Sequence, residues 1–564
     1  MCYVEDFAIE ERPKPAKSRM RAQRFYLRTS PKSLASSRRP SETRNDPAWF
    51  DAPHLSAMTA ILLSALSGLL LSAGFPKPAM FYLAWVSLVP LLYAVHRKTG
   101  KQAFALGYIC GLLHSVTCLF WIYHAIYHYG GFSTAVSLLV LLLLCCIMAV
   151  YPALFALLAQ KCESRPLLYV FGLPCAWVAL EWARAFAISG FPWANLGYTQ
   201  TPLNPLIQIS DITGVYGLSW LVVFGNTVIS GFIRNFYRRS GVAVLSACIV
   251  CALLYGFWRC QQIGGLQNRT VALNVGVIQG NIAQNEKWDP AFEAETIDTY
   301  GRLSLECVKK EPIPDILVWP ESAMPFFYGL DDDLSPKVDS IVRQAGKPLL
   351  FGSIGAVRVE GKARLLNRAY LLDKDATVIG AYAKQHLVPF GEYVPWSNIL
   401  FFVRHIAAGS VDFIPGTHPG PLIFEGPPLG VLICYEVVFP QIARATVRRG
   451  AQVLINITND AWYGDTGGPY QHLEIARWRA IEFRVPLVRA ANTGISAMFD
   501  AAGRQCARLA LNTRGFLTCA VHPMSYLSFY AKYGDLFAWF CVFVTFYAII
   551  FEIVRIRIKR RRSR

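Results

Sequence analysis

Apolar residues are bunched along the chain rather than spread through it. Residues 57–259 form an almost unbroken apolar field, residues 268–524 mix apolar and polar runs as a soluble domain does, and residues 535–554 turn apolar again. A helix that crosses a bilayer needs about 20 mainly apolar residues. By that measure eight segments qualify: 57–75, 80–96, 102–124, 132–159, 167–187, 207–232, 241–259 and 535–555. The first lacks a clear small-residue cleavage site and a second follows at once, so it does not read as a signal peptide. Residues 1–54 are polar and rich in Pro and Arg, with no apolar period, the pattern of a disordered basic extension. Met58 opens the first apolar segment, which leaves open whether that extension belongs to the mature protein.

Between the apolar fields the period changes. Short β-branched runs fall at 271–281, 315–322, 348–355, 429–436, 451–460 and 486–494, with helix-length stretches such as 290–310 and 470–484 between several of them. Apolar runs broken by Gly, Pro and Asp and separated by helices predict an α/β domain whose strands are mostly covered. The expected order is therefore an extension (1–54), seven membrane helices (55–262), an α/β domain (268–524), an eighth membrane helix (533–556) and a basic tail (557–564).

Composition agrees with the patterning. Apolar residues make up 54% and charged residues 16% of the chain, against about a quarter charged in soluble domains. Charge then orients the helices, because loops rich in Lys and Arg stay cytoplasmic. Segments 96–101, 160–166 and 234–239 and the tail from Arg555 are basic, whereas loops 124–132 and 188–206 hold no Lys or Arg. Both ends are then inside and the α/β domain outside. Much of the +18 net charge lies in the tail and the first 54 residues. Beside a membrane span it acts as a topology anchor on anionic lipid and calls for no nucleic-acid partner. Of 15 cysteines only Cys307, Cys434, Cys506 and Cys519 fall in the outside domain, which is no disulfide framework. Cys506 and Cys519 flank a turn near Asn512 and Thr513, open to two readings: thiols facing across a hairpin, or unpaired strand cysteines.

Three segments of the α/β domain carry candidate chemistry. Val431-Leu432-Ile433-Cys434-Tyr435-Glu436 runs a buried strand into a Cys. A Cys at a strand-to-helix turn is presented at the sheet edge, near a helix N-terminus that favours its thiolate. Val318-Trp319-Pro320-Glu321-Ser322 places a carboxylate at the carboxyl end of a strand, where α/β sites form. The stretch from Tyr382 to Glu392 holds Lys384 and Glu392 in one extended run. Alone, a Cys in a strand is a common core residue and each charge a common surface one. Their sequence in one α/β domain is what marks them. His124 and His128 stand four apart at the outer end of the third span among Tyr123, Tyr127 and Tyr129; no third ligand stands nearby in sequence, and an interfacial aromatic belt is the favoured reading. Glu181 and Arg184 are spaced to pair on one helix face.

These three segments resemble the nitrilase superfamily. WPES (319–322), KQHLVPFGEYVP (384–395), ICYE (433–436), NDAWYG (459–464) and GFPWANLGY (190–198), together with Trp258 ending the seventh span, resemble its membrane-embedded branch, the apolipoprotein N-acyltransferases. The likeness covers roughly residues 57–556; the N-terminal extension departs from it. It implies eight transmembrane helices joined to an extracytoplasmic nitrilase-like αββα sandwich in the bacterial inner membrane, facing the periplasm. It implies Cys434 as nucleophile, Glu321 as general base and Lys384 as oxyanion stabiliser. It also implies that Glu392 supports the Lys and the acyl group, Tyr435 and Glu436 shape the pocket, and Trp258 contacts lipid or belongs to the interfacial belt. The alternative for Glu392 and Glu436 is ion pairing at the domain surface. The implied donor is a phospholipid, the acceptor the α-amino group of a diacylglyceryl-cysteine apolipoprotein, the enzyme a monomer, with no metal or organic cofactor.

Moving a chain of about sixteen carbons into water costs on the order of 12 kcal/mol, so a site walled by membrane helices suits two lipid substrates. The run Pro395–Val403 is too apolar for an exposed loop; a lid dipping into the bilayer and a buried strand or helix are its two readings. The loop charges make a direct prediction. A reporter active only outside the cytoplasm should work when fused near residue 300 and be silent when fused after Arg564. The reverse pattern would overturn the topology.

Overall fold

The structure, a computed structural model, describes residues 55–187, 189–236, 238–394, 413–418 and 420–562. The extension 1–54 and the apolar run 395–403 therefore lie outside the described residues. Among those described, four helices are long and apolar enough to cross a membrane: Thr134–Lys161, Val215–Ile233, Arg239–Gln267 and Leu536–Arg555. Gly100–Cys118 and Trp121–Tyr129 form a pair bent by 55° that together would pass as a fifth. Helix Ala57–Ala73 is apolar but shorter.

Three of the expected spans are interrupted, each by an identifiable device. Segment 80–96 is a 3-10 turn, Phe81–Trp85, followed by a short helix, Val89–Ala94. The backbone groups freed at that break are not left bare: the Asn226 amide donates to Ala84 O at 2.9 Å and accepts from Leu88 N at 2.8 Å. In an apolar environment such satisfaction is what makes a break tolerable. Segment 207–232 is interrupted at Gly214, whose φ of 62° only glycine adopts freely, before Val215–Ile233 starts. Segment 167–187 begins with a π turn, Leu168–Gly172, before the helix Leu173–Arg184. Elsewhere the helices pack through small residues. A Cβ at Gly107 would stand 2.5 Å from Ala156 Cβ, so the absence of a side chain lets Gly100–Cys118 lie against Thr134–Lys161.

The α/β half holds two sheets. The first contains β1 (Leu273–Gln279), β2 (Ile316–Val318), β3 (Met324–Phe327), β4 (Leu349–Val359), β5 (Lys362–Leu372), β6 (Val378–Ala383) and β12 (Gly515–Val521). Its order is β12-β1-β2-β4-β5-β6, with β3 beside β4. The second contains β7 (Leu429–Ile433), β8 (Val453–Thr458), β9 (Leu487–Ala491), β10 (Ala497–Phe499) and β11 (Gln505–Arg508), in the order β11-β10-β9-β8-β7. Strands β1, β2 and β4, and β7, β8 and β9, run parallel. The period of two decides which residues face where. Val275, Val277, Ile316, Val318 and Leu350 meet Val431, Ile433 and Ile455 of the other sheet. Their neighbours Ile278, Leu317, Leu349 and Phe351 turn outward onto helices Glu293–Cys307 and Ser335–Ala345. Pro440–Arg448 and Gly468–Phe483 pack with the second sheet. The result is a sandwich of helices over two sheets, as expected.

Helix Gly468–Phe483 is also where the two halves are joined. Trp478 Nε1 donates to Thr201 Oγ1 and Arg479 to the Tyr198 hydroxyl, each at 2.8 Å. Just beyond it, Arg484 reaches Asp211 at 2.9 Å, and the same carboxylate takes Arg259 at 2.7 Å and the Tyr255 hydroxyl at 2.8 Å. Both guanidiniums are buried. Removing the partner of a buried charge costs about 3–5 kcal/mol. Asp211→Ala is therefore expected to lower the thermal midpoint of the detergent-solubilised protein sharply, with Asp211→Asn in between; an unchanged midpoint would show that the clamp does not hold the halves together.

Candidate functional site

The three candidate catalytic residues stand where strands end. Glu321 follows β2, and its approach to β4 depends on Gly352, where a Cβ would come within 2.5 Å of Ser322 N and 2.7 Å of Glu321 Cα. Lys384 follows β6. Cys434 follows β7 with φ of 53°, a left-handed conformation uncommon for a residue with a side chain. That elbow is held from two sides: Asn456 Nδ2 donates to Leu432 O at 3.0 Å and to Cys434 O at 3.4 Å, and Ile433 N donates to Glu436 Oε2 at 2.7 Å.

The three charged side chains converge. Lys384 Nζ, only 1% exposed, lies 3.4 Å from Glu321 Oε1 and 2.9 Å from Glu392 Oε2. Asn367, on β5, donates to Glu321 at 2.8 Å and to Glu392 at 2.9 Å. The second Glu321 oxygen accepts from Asn459 N at 3.0 Å, and Lys287 Nζ donates to the Glu321 backbone carbonyl at 3.0 Å. Glu392 also accepts from Val388 N at 2.8 Å. Burial acts to lower the Lys384 pKa, but the Glu392 and Glu321 carboxylates outweigh it and hold it above the ordinary value. Burial brings Lys287 down to about 8, against the opposing pull of Glu321 and Cys434.

The Cys434 thiol is 6% exposed. Burial first, and then the Glu321 charge, push its pKa upward against Lys384. The helix N-terminus expected to favour the thiolate is only the short turn Cys434–Val438, which offers less to the thiolate than desolvation removes. A protonated thiol needs a base to become a nucleophile.

Glu436 is fully buried rather than paired at the surface. Its carboxylate accepts from Ile433 N, from Gln385 N at 2.6 Å and His386 N at 3.2 Å, and from the Tyr382 hydroxyl at 3.0 Å. It thus ties the elbow of one sheet to the residues directly after Lys384 on the other. Burial raises its pKa to about 7, moderated by those backbone N–H groups. Glu392 pairs with Lys384 rather than with a surface cation. Tyr435 is buried and its ring lies between Trp193, at 6.3 Å, and Phe439, at 5.1 Å.

Behind the elbow, Asp460 is gripped by Arg489 at 2.6 Å and His472 at 3.0 Å. Burial acts to raise its pKa, yet Arg489 and His472 hold it below the carboxylate range. The membrane half contributes Trp193, fully buried, with its ring 5.5 Å from His472 and its N–H donated to Gln471 at 2.7 Å. Glu181 and Arg184 do not pair with each other as their spacing suggested. Glu181 accepts from Trp177 and from Leu196 N at 2.7 Å, and Arg184 donates to Trp193 O at 3.0 Å and Asn195 at 2.8 Å. Both hold the loop that presents Trp193.

Trp258 is not brought to this cluster. It is 54% exposed on helix Arg238–Gln267, against Tyr255 and Arg259. His124 and His128 lie ring to ring at 4.3 Å, and His124 Nδ1 stands 3.3 Å from Trp462 O, so this helix end rests on the 459–464 turn. Sequence patterning passed over Asn367 and Lys287. Asn367 sits mid-strand without a motif, and Lys287 had only its place after β1 to mark it.

Residues 67–228 match the family described as apolipoprotein N-acyltransferase N-terminal domain, and residues 274–527 match carbon-nitrogen hydrolase. The chain is 42% identical to the apolipoprotein N-acyltransferase of Geobacter metallireducens over 85% of its own length and 93% of the relative's. It is 32% identical to the enzyme of that name from Methylococcus capsulatus, over 85% and 93%, and 31% to that from Haemophilus influenzae, over 84% and 91%. With both halves matched and the alignment running through nearly the whole of these relatives, the chain belongs to the apolipoprotein N-acyltransferase family.

Proposed function

We propose that this enzyme moves a fatty acyl chain from a phospholipid to the α-amino group of a diacylglyceryl-cysteine apolipoprotein through a thioester on Cys434. The observation that carries the reading is the buried cluster in which Glu321, Lys384 and Glu392 share hydrogen bonds beside a buried thiol. In the first half, Glu321 takes the thiol proton as the sulfur attacks the ester carbonyl. Lys384 stabilises the tetrahedral oxyanion. The carbonyl re-forms, the lysophospholipid oxygen leaves, and Glu321 returns the proton to it. In the second half the lipoprotein amine attacks the thioester, Glu321 accepts the amine proton, and the restored thiol receives it. Glu392 and Asn367 position Lys384 and Glu321; Glu436 positions the elbow against Lys384. Tyr435 and Trp193 wall the acyl pocket, and Trp258 belongs to the lipid-facing surface.

The membrane placement rests on the loop charges: with eight passes and both ends inside, the α/β domain lies on the periplasmic side of the inner membrane, where a monomer draws both lipid substrates from the outer leaflet.

The test reads the two half-reactions separately. Wild type given phospholipid alone should accumulate an acyl group on Cys434, seen by mass spectrometry, with release of lysophospholipid, and should discharge it when the acceptor amine is added. Cys434→Ala should form neither thioester nor product. Glu321→Gln should stop at the first step with the fold intact. Lys384→Ala should also fail there, through loss of oxyanion stabilisation worth about 3–4 kcal/mol. Normal transfer by Cys434→Ala would sink the covalent route in favour of direct attack by the amine.

A further inference from the structure

Two cysteines of the α/β half have no part in this chemistry. Cys506 lies on β11 in the second sheet and Cys519 on β12 in the first, where it pairs with Val275 of β1. Strand β11 is out of step with its neighbour: Gln505 pairs with Phe499 and Ala507 with Met498, so Cys506 is the extra residue of a bulge. A bulge re-aims the side chain it carries. Here it leaves Cys506 Sγ 3.3 Å from Met498 O and in hydrogen-bonding contact with the Cys519 thiol on the other sheet. Both are free thiols; Cys506 is exposed and Cys519 half-buried. Cys506 also lines a pocket with Gln267, Asn268, Asp500, Arg504 and His522, in which Arg504 is paired with Asp500 at 2.9 Å.

We propose that Cys506 and Cys519 are a redox-active pair that closes into a disulfide, stapling an edge of one sheet to an edge of the other, by exchange with a small-molecule disulfide. One thiol of the pair gives its proton to solvent and attacks as the thiolate. Its sulfur bonds to one sulfur of the reagent and expels a thiolate. The other thiol then gives up its proton to solvent and attacks the protein sulfur of the mixed disulfide, expelling the second thiolate. Two protein thiols are oxidised and one reagent disulfide is reduced to two thiols.

The experiment uses the full-length protein in detergent with glutathione disulfide as oxidant, followed by alkylation of free thiols and peptide mapping. The expected result is a cross-linked pair of peptides holding Cys506 and Cys519, lighter by two hydrogens, without alkyl label, and relabelled after dithiothreitol. Each single variant, Cys506→Ser or Cys519→Ser, should stop at a glutathione mixed disulfide on the cysteine that remains. The oxidised protein should also unfold at a higher temperature than the reduced one. Full alkylation of both cysteines after oxidation, or a glutathione adduct on wild-type Cys519 that never closes, would overturn the proposal. None of these readouts depends on acyl transfer.

Discussion

Lys384 is an ammonium kept out of water between two carboxylates, and the cost of keeping three charges dry governs what surrounds them. Each such ion loses several kcal/mol of hydration even after the protein relaxes. Mutual attraction offsets that loss only if the remaining lone pairs and protons are also satisfied. Hence the Asn367 amide stands between Glu321 and Glu392, and backbone N–H groups of Asn459 and Val388 complete the two carboxylates. These partners come from β5 and from the loops after β6 and β8. The cluster can exist only when both sheets are assembled.

Glu436 makes that dependence explicit. One oxygen accepts from the strand end at Ile433 and the other from Gln385 and His386. The elbow that presents Cys434 and the loop that presents Lys384 therefore share one carboxylate across the sandwich. The membrane half enters in the same manner. Glu181 and Arg184 hold the 193–196 loop, Trp193 leans toward Tyr435 and His472, and the helix behind them is bonded to Tyr198 and Thr201. A shift in the helices would thus be felt at the thiol's surroundings through packed rings and buried hydrogen bonds.

What was legible in the sequence was what is local. Alternation within a strand, a Cys after an apolar run and a Glu at a strand's carboxyl end can all be read from a few neighbouring residues, and an α/β domain follows from them; the two-sheet sandwich was implied only by the family resemblance. Apolar content marked the membrane segments but not their breaks. The break between Trp85 and Val89 is sustained by Asn226, far along the chain, and no window around residue 86 contains that information. For Glu181 and Arg184, helix spacing showed that the two could pair but not that the 193–196 loop offers each another partner. Asn367 was invisible because a lone Asn in a strand carries no period. The balance at Cys434 was not legible either, because the burial that outweighs the turn's N-terminus comes from residues distant in sequence.

Burial of the thiol has two opposed consequences in the proposed cycle. It keeps Cys434 protonated at rest, which suppresses wasteful reaction, and it keeps water from a thioester that must wait for an amine. The penalty is that attack has to create an anion in a dry place. The charge arrangement deals with this directly. At rest Lys384 faces two carboxylates, Glu321 and Glu392. When the thiol proton passes to Glu321, one of those anions disappears as the oxyanion forms, so Lys384 again faces two. Negative charge has moved across the site without changing in amount, and the ammonium already in place serves both arrangements. A preorganised cation of that kind needs no reorientation at the moment of reaction, which is where such sites gain most of their advantage over water.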